Sequence, residues 1–471
     1  MSVNGAPEHS VLIVTSDFPP LAGTNTQRVQ SFVRHLPAFG WRSTVLTQAI
    51  EDMDLIDSRD LARLPSDAGI VRARSPDPFR WYRRWKGVLP RDVADEQPES
   101  LRLAQDSSAS ARQNASELLK GPLRGASRIA KEILRKFWYV PDPLMPWGDA
   151  AARTGRALIA AGNFDCLLTS APSYSSHVAG LKIKRQIDIP WVADFRDLWV
   201  GRPYRTDGRQ DTLLESRVVA EADMIIVASP QWKAVFEKRY GPGIGRKMTT
   251  LTNGFEQRPE RAQSSTRSAG STMRLVYTGT MGAGEPVSAF LGALNLVINR
   301  HPELAGKLDL QLIGGGSEVD RINEIIAASP LRYCTRLLGV RPNDECLAAQ
   351  AEADVLLLFL GEHHSQTLSG KSFEYMATGK PILAIIPEHG IQAELLREAG
   401  TAMIVAPSDT DGIVRALHAL IEGDAAKPLR PNWDYIRQFD RRVLAEKLAG
   451  ILLACAQGRE ASPRRGSRLA A

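Results

Sequence analysis

Cysteine is scarce in this chain. Its 471 residues include four, at 166, 334, 346 and 455. No two stand two to four residues apart, so a disulfide scaffold is excluded and neither a structural zinc site nor a redox dithiol is suggested. A reducing, cytoplasmic setting is expected. Long apolar runs are missing too. The longest, such as Val355 to Leu360, fall well short of the ~20 residues a transmembrane helix needs. The opening MSVNGAPEHS lacks a basic n-region, and the apolar run Val11 to Val14 after it is too short for a signal peptide. Nor does one sign of charge dominate: 59 Lys and Arg against 53 Asp and Glu leave +6, too mild on so large a surface to imply nucleic acid. With 43% apolar and 24% charged residues, the composition is that of a globular enzyme rather than a disordered or fibrous chain. At roughly 150 residues per domain, the length predicts about three domains or two large α/β ones.

The pattern favours two. Residues 10–15 (SVLIVT) read as a fully buried strand, followed by a Pro/Gly loop and a helix with apolar Val29, Phe32, Val33 and Leu36, ended by Gly40. A strand at Ser43 to Thr47 completes a β-loop-α-β unit, which calls for a parallel sheet covered on both faces. The rhythm returns at Phe164 to Ser170, Ile189 to Asp194 and Met224 to Ala228. A second alternation starts with RLVYTG at Arg274 and runs through LDLQLIGGG, RLLGV, ADVLLLFL, PILAII and TAMIVA, each except RLLGV followed by a helical stretch. The expected organisation is α/β, with two Rossmann-like domains facing across a cleft. The first spans 1–256, with a helical insertion at 75–147. A polar, Ser-rich linker at 257–272 leads to the second, at 273–430. A helix follows at 431–455, and a disordered tail fills 456–471.

The insertion interleaves basic and aromatic residues in FRWYRRWKG and RIAKEILRKFWYV. Ile129, Ile133, Lys136 and Phe137 share a helical face bordered by Arg128, Lys131 and Arg135. That suits a helix lying on an anionic bilayer, and equally an ordinary surface helix packed on its own domain.

In doubly wound sheets ligands bind outside the carboxyl ends of the strands. The strongest constellation there is Leu368 to Pro381, LSGKSFEYMATGKP. Ser369 can cap a helix, Phe373, Met376 and Ala377 form its buried stripe, and Gly379 with Pro381 stops it. Lys371 and Glu374 fall in its first turn, near unpaired N–H groups and the positive end of the dipole. A diphosphate docked there would meet backbone donors from Ser369 and Gly370 onward and the Lys371 ammonium, while Glu374 could accept from a ribose diol. The bland alternative is a surface ion pair. Gly279 and Thr280 follow the strand RLVYTG, and Gly23 follows the first strand, where the lack of a Cβ lets backbone approach a ligand. Plain turn glycines would look the same. Asp194, Arg196 and Asp197 follow the strand from Ile189. They are placed to meet a ligand, or simply lock the loop as an ion pair. His177 lies at a helix start after Ser170, and a lone histidine there is as easily structural. Serines 175 and 176 are cap candidates. Glu362, His363 and His364 make a poor metal site, because adjacent histidines seldom converge on one ion. The run Gly314 to Gly316 lacks dinucleotide spacing, so no NAD and no other cofactor is called for.

These residues carry a resemblance. VLIVTSDFPPLAGTNTQRVQSFVRHLPAFGWRSTVLT, FDCLLTSAPSYSSHVAG, IPWVADFRDLW, LTNGFE, RLVYTGTMG, LQLIGGGSE and KSFEYMATGKPILA, in this order, resemble successive landmarks of the retaining glycosyltransferases of the family-4 group, glycosyl transferases group 1, which have the GT-B fold. The resemblance implies that Glu374 binds the nucleotide ribose as the second glutamate of a pair separated by seven residues, and that Lys371 neutralises the leaving diphosphate. The first glutamate is replaced by Gln366, an amide that can still contact a donor sugar. Many relatives place an arginine and a lysine in the loop after Gly279; TGTMGAGEPV has neither, so Lys371 carries more of the charge or an arginine such as Arg336 supplies it. Arg196 stands where many relatives have a histidine near the reacting centre, so the resemblance implies that Asp194, Arg196 and Asp197 orient the acceptor hydroxyl and steady developing positive charge; the helix at 431–455 resembles the family's segment that crosses back to the first domain.

The implied activity is metal-independent hexosyl transfer, with retention, from a nucleoside-diphosphate sugar to a lipid-linked or saccharide hydroxyl. It would serve cell-surface polysaccharide or glycolipid synthesis, at the inner face of the cytoplasmic membrane. Two alternatives stand beside it: a sugar-nucleotide 2-epimerase of the same fold and a catalytically silent nucleotide-sugar-binding subunit.

Overall fold

The computed structural model describes residues 8–21, 24–53, 55–56, 61, 64–65, 68–75, 91–92, 140–201, 208–256, 272–422 and 429–460. Gly23, most of the 75–147 insertion and all but the last residue of the 257–272 linker lie outside them. The chain forms two compact units, Met1–Thr252 with Ala445–Ala471, and Asn253–Leu444.

The first unit holds β1 (His9–Val14), β2 (Trp41–Gln48), β3 (Leu55–Ile56), β4 (Gly69–Ala73), β5 (Arg91–Asp92), β6 (Cys166–Ala171), β7 (Trp191–Phe195), β8 (Met224–Val227) and β9 (Met248–Thr250). Seven of these make one sheet in the order β4-β2-β1-β6-β7-β8-β9, and β3 pairs with β5 separately. Every pairing is parallel. Helices α1 (Gln27–His35), α2 (Met145–Ala161), α3 (Ser175–Lys184), α4 (Arg209–Glu221) and α5 (Pro230–Tyr240) connect the strands. Parallel strands buried on both faces read as unbroken apolar runs. Accordingly Val11 to Val14, Leu167, Leu168 and Ile225 to Val227 are fully buried. Helix α3 sits tightly on the sheet because Gly180 has no side chain: a Cβ there would press on Thr169 and the Trp191 ring.

The second unit repeats the plan with β10 (Met273–Thr278), β11 (Leu308–Ile313), β12 (Thr335–Gly339), β13 (Val355–Phe359), β14 (Ile382–Ile385) and β15 (Ala402–Val405). Their order is β12-β11-β10-β13-β14-β15, again parallel throughout. The helices are α6 (Val287–Arg300), α7 (Val319–Ala327), α8 (Asn343–Glu352), α9 (Gly370–Met376), α10 (Ile391–Ala399), α11 (Thr410–Glu422) and α12 (Trp433–Arg437); α13 (Arg441–Glu460) ends the described chain.

All eleven strands expected from the apolar runs are present within two residues of their expected ends, except that LDLQLIGGG stops at Ile313, before its three glycines. Four more are not foreshadowed. β4 and β9 lie at the sheet edges, where short strands need no apolar run, and β3 and β5 are two residues each. RLLGV is followed by a helix after all, α8, whose one buried residue is Gln350; no apolar stripe announces it. Helix α13 continues to Glu460, so residues 456–460, expected to be disordered, are helical. Among the described residues no helix is long and apolar enough to cross a membrane.

Candidate active site

The carboxyl end of β10 is tied to two helices by buried polar contacts. On the side facing β13 the ladder ends at Val276. The Thr278 amide instead donates to the Tyr375 hydroxyl at 3.0 Å, and Gln350 Nε2 donates to Thr278 Oγ1 at 3.0 Å. Gln350 also reaches Glu374 Oε2 at 3.3 Å. One turn of α9 and one side chain of α8 are thus fixed against the end of β10. Tyr375 and Gln350 are buried, and a buried network of this kind holds its geometry because every alternative leaves a polar group unpaired.

Lys371 projects into the same corner. Its Nζ lies 5.2 Å from the centroid of the Tyr277 ring, a cation–π arrangement. It rests against Gly279 so closely that a Cβ there would overlap both Nζ and Cε. Gly279 therefore supplies room for the ammonium. It is not an anion donor, since its amide bonds Ile313 O at 2.8 Å. Among the described residues no carboxylate forms an ion pair with Lys371, so the expected alternative of a Lys371–Glu374 surface pair is not adopted. Burial pushes the ammonium below the ordinary lysine range, against the pull of Glu285 and Glu374. A poorly solvated cation with no partner is a seat for an anion.

The structure brings Lys371, Glu374, Gly279 and Thr280 into this one corner. Thr280 is exposed, and its carbonyl accepts from Tyr277 Oη at 2.7 Å. Ser369 stands at the start of α9 without capping it through its side chain; its amide donates to Gln392 Oε1 at 2.8 Å. Gly370 is open to solvent, and a Cβ there would touch nothing. Gln366 is exposed in the segment before α9. At seven residues, α9 is two turns long, so the charge of Lys371 matters more than the helix dipole. Arg336 does not join the site. It sits near the amino end of β12, bonded to Asp309 at 3.0 and 2.6 Å, whereas Gly279 lies past the carboxyl end of β10.

The acceptor-side candidates of the first unit are arranged differently. Asp194 is fully buried. It accepts from Arg28 Nε and Nη2 at 3.0 and 2.8 Å and from Ser170 Oγ at 2.9 Å. Arg28 also donates to the carbonyls of Leu251 and Thr252 at 2.8 and 2.6 Å. This bidentate pair joins α1, β7 and the chain leaving β9. Arg196, nearly buried, donates to the carbonyls of Ala171 and Pro172 at 3.0 and 2.9 Å and to that of Asn25. Its carboxylate partner is Asp17, at 3.6 Å. An ion pair does lock this loop, but through Arg28 and Asp17, neither of which the sequence marks.

His177 is fully buried against Phe195, with ring centroids 4.4 Å apart and Nδ1 2.7 Å from Thr169 Oγ1. Burial lowers it to about 3, so it is neutral. Asp197 is exposed. Ser175 and Ser176 do not cap α3; Asp142 does, accepting from the Ser175 amide at 3.0 Å and its hydroxyl at 2.7 Å. Glu362, His363 and His364 occupy a short turn, and among the described residues no cluster of His, Cys, Asp or Glu is placed to hold a metal ion.

Tyr277, Gln350, Tyr375 and Glu285 shape this corner without a pattern in the sequence that singles them out. Tyr375 adjoins Glu374 in the motif, but nothing in LAAQAE signals Gln350.

A family model described as a glycosyl transferase 4-like domain matches residues 23–254, and one described as glycosyl transferases group 1 matches residues 272–423. Among curated proteins none matches the chain in sequence. Solved structures do match in fold. Sucrose-phosphate synthase from Thermosynechococcus elongatus is 15% identical, with a TM-score of 0.56 over 96% of this chain and 98% of that one. HepE from Anabaena, solved with UDP and glucose, is 13% identical, with a TM-score of 0.55 over 96% and 98%. WaaG, a glycosyltransferase involved in lipopolysaccharide biosynthesis, is 14% identical, with a TM-score of 0.53 over 94% and 99%. With the two models together spanning most of the sequence and both halves folded as those structures are, the chain belongs to the group 1 glycosyltransferases of GT-B fold.

Proposed function

We propose that the protein transfers a sugar from a nucleoside-diphosphate donor to an acceptor hydroxyl with retention of anomeric configuration, in the building of a cell-surface polysaccharide or glycolipid. The observation that carries this is the Lys371 ammonium, unpaired and partly buried against Gly279. As the glycosidic bond breaks, negative charge grows on the leaving diphosphate. A cation already desolvated and oriented stabilises that charge more than it stabilises the ground state. Glu374, steadied by Gln350, accepts from the ribose diol. Gln366 and Thr280 line the donor sugar, and no metal is needed. HepE with UDP and glucose and WaaG in lipopolysaccharide synthesis support a nucleotide donor and a surface-glycan product.

On the acceptor side, exposed Asp197 past the end of β7 orients the incoming hydroxyl, with Arg196, Asp194 and His177 as positioning residues beneath it. The basic and aromatic residues of the insertion support a lipid-linked acceptor at an anionic membrane surface.

Incubating the full-length protein with radiolabelled UDP-, GDP- and ADP-sugars and membrane lipids tests this reading. The expected product is a glycolipid in the donor's anomeric configuration, absent with Lys371→Met. Donor isomerised at C2 would show an epimerase, and donor bound without turnover a silent subunit; either overturns the proposal.

A further inference from the structure

The loop leaving β10 holds a residue that the donor site has not yet used. Glu285 stands just before α6, its amide bonded to Gly282 O at 3.2 Å. Its carboxyl points inward: Oε2 is buried and has no hydrogen-bond partner. The loop is pinned in this position, because the Gly284 carbonyl lies where a Cβ on Gly361 would stand. The groups that act on the carboxyl are Lys371 from α9, Tyr277 from β10 and the Gly361 amide, while Glu374 and Cys346 face Lys371; the turn Glu362–His364 follows Gly361 in the chain. Glu285 and Lys371 attract each other, yet no ion pair closes between them.

This arrangement poses a conflict. A diphosphate held by Lys371 brings two negative charges towards Glu285, and an ionised carboxylate there would repel it with little water to screen the repulsion. A carboxylic acid would instead offer the diphosphate a hydrogen-bond donor, in a loop that has no arginine or lysine. We propose that Glu285 serves the donor site in its neutral form, giving its hydroxyl hydrogen to a phosphate oxygen, so that binding of a nucleotide sugar above neutral pH takes up one proton from solvent. This rests on the diphosphate site proposed above.

Burial supports it, pushing Glu285 from the ordinary 4.5 up to about 7, against the lowering pull of Lys371 and the Gly361 amide. The sign follows. Below about 7 the acid is already present and affinity does not change with pH. Above it the free protein is ionised, each binding event draws in a proton, and affinity falls by about tenfold per pH unit.

Isothermal titration of the full-length protein tests this, using UDP-, GDP- and ADP-glucose in turn, donors whose own diphosphate does not titrate in the range. Run in buffers of different ionisation heat from about pH 6 to about pH 8.5, it reads proton uptake directly. The expected uptake rises from near zero towards one through neutrality while affinity declines, and Glu285→Gln binds with a flat profile and no uptake. A flat wild-type profile, or uptake that persists in Glu285→Gln, overturns the proposal; the latter would point to the histidines at 363 and 364. Lys371→Met separates the two readings. If it loses binding while the wild type is flat with pH, only the role of Glu285 fails. If it binds as the wild type does, the diphosphate site fails and the proton linkage with it.

Discussion

Gly279 and Lys371 work as one device divided between a strand end and a helix. The lysine is legible from its place in KSFEYM and the glycine from its place after a strand, but their contact is not, because nothing in the sequence says that the ammonium fills the space a Cβ would take. Gly279→Ala therefore displaces a flexible side-chain end and not backbone. The expected result is a melting temperature within a few degrees of wild type, with donor affinity reduced by at least about tenfold, equivalent to the ~1.4 kcal/mol of a weakened charge-assisted contact. Thermal unfolding and titration with a nucleotide sugar read the two effects separately.

Asp194 is the opposite case. Its carboxylate is fully buried and Arg28 beside it is nearly so, so Asp194→Ala strands a guanidinium in the interior at a cost of about 3–5 kcal/mol. Denaturant unfolding should show that loss. Unchanged stability with lost turnover would mean that Asp194 touches substrate and does not position the loop. Its place after a strand marks it for chemistry in the sequence, whereas its partner lies far away on α1 and cannot be inferred from spacing.

Among the elements, α9 shows how a short helix is kept in place. Seven residues hold little helical stability of their own. Phe373 and Met376 bury the stripe expected from the sequence, while Tyr375 turns its hydroxyl to the Thr278 amide that the sheet leaves unpaired. Tyr375→Phe keeps the ring but leaves that buried donor without a partner, at a cost of about 1–3 kcal/mol. Because Lys371 rides on the same helix, donor binding should weaken alongside stability, which chemical denaturation and titration can compare. Strand positions were legible because parallel sheets demand apolar runs. Helix α8 was not, since its buried side is marked by a glutamine and not by an apolar stripe. The capping of α3 was missed for a related reason. The serines at its start suggested a local cap, whereas the acceptor is Asp142, 33 residues upstream.

At the scale of the whole molecule, the two units carry separate apolar cores, one around Trp147, Trp191 and Trp199 and the other around Phe290, Leu312 and Phe359. The corner around Lys371 is built wholly from the second unit. Saturating nucleotide sugar should therefore slow amide exchange around residues 279–285 and 361–376 and leave the core of β6 and β7 exchanging as before, since binding protects the element that contacts the ligand. Protection centred instead on the ends of β1 and β6 would place the donor in the wrong unit. The two-unit plan was readable from its repeated strand and helix rhythm. The polar contacts that make each site were not, because they join residues from distant strands and helices.

The most direct test of the account is a crystal structure of the full-length protein with an intact nucleotide sugar. The account predicts the diphosphate within hydrogen-bonding distance of Lys371 Nζ, beside Gly279 and Glu285, with the ribose diol on Glu374. A diphosphate bound elsewhere, with Lys371 still packed on Gly279 and touching no phosphate, would contradict it.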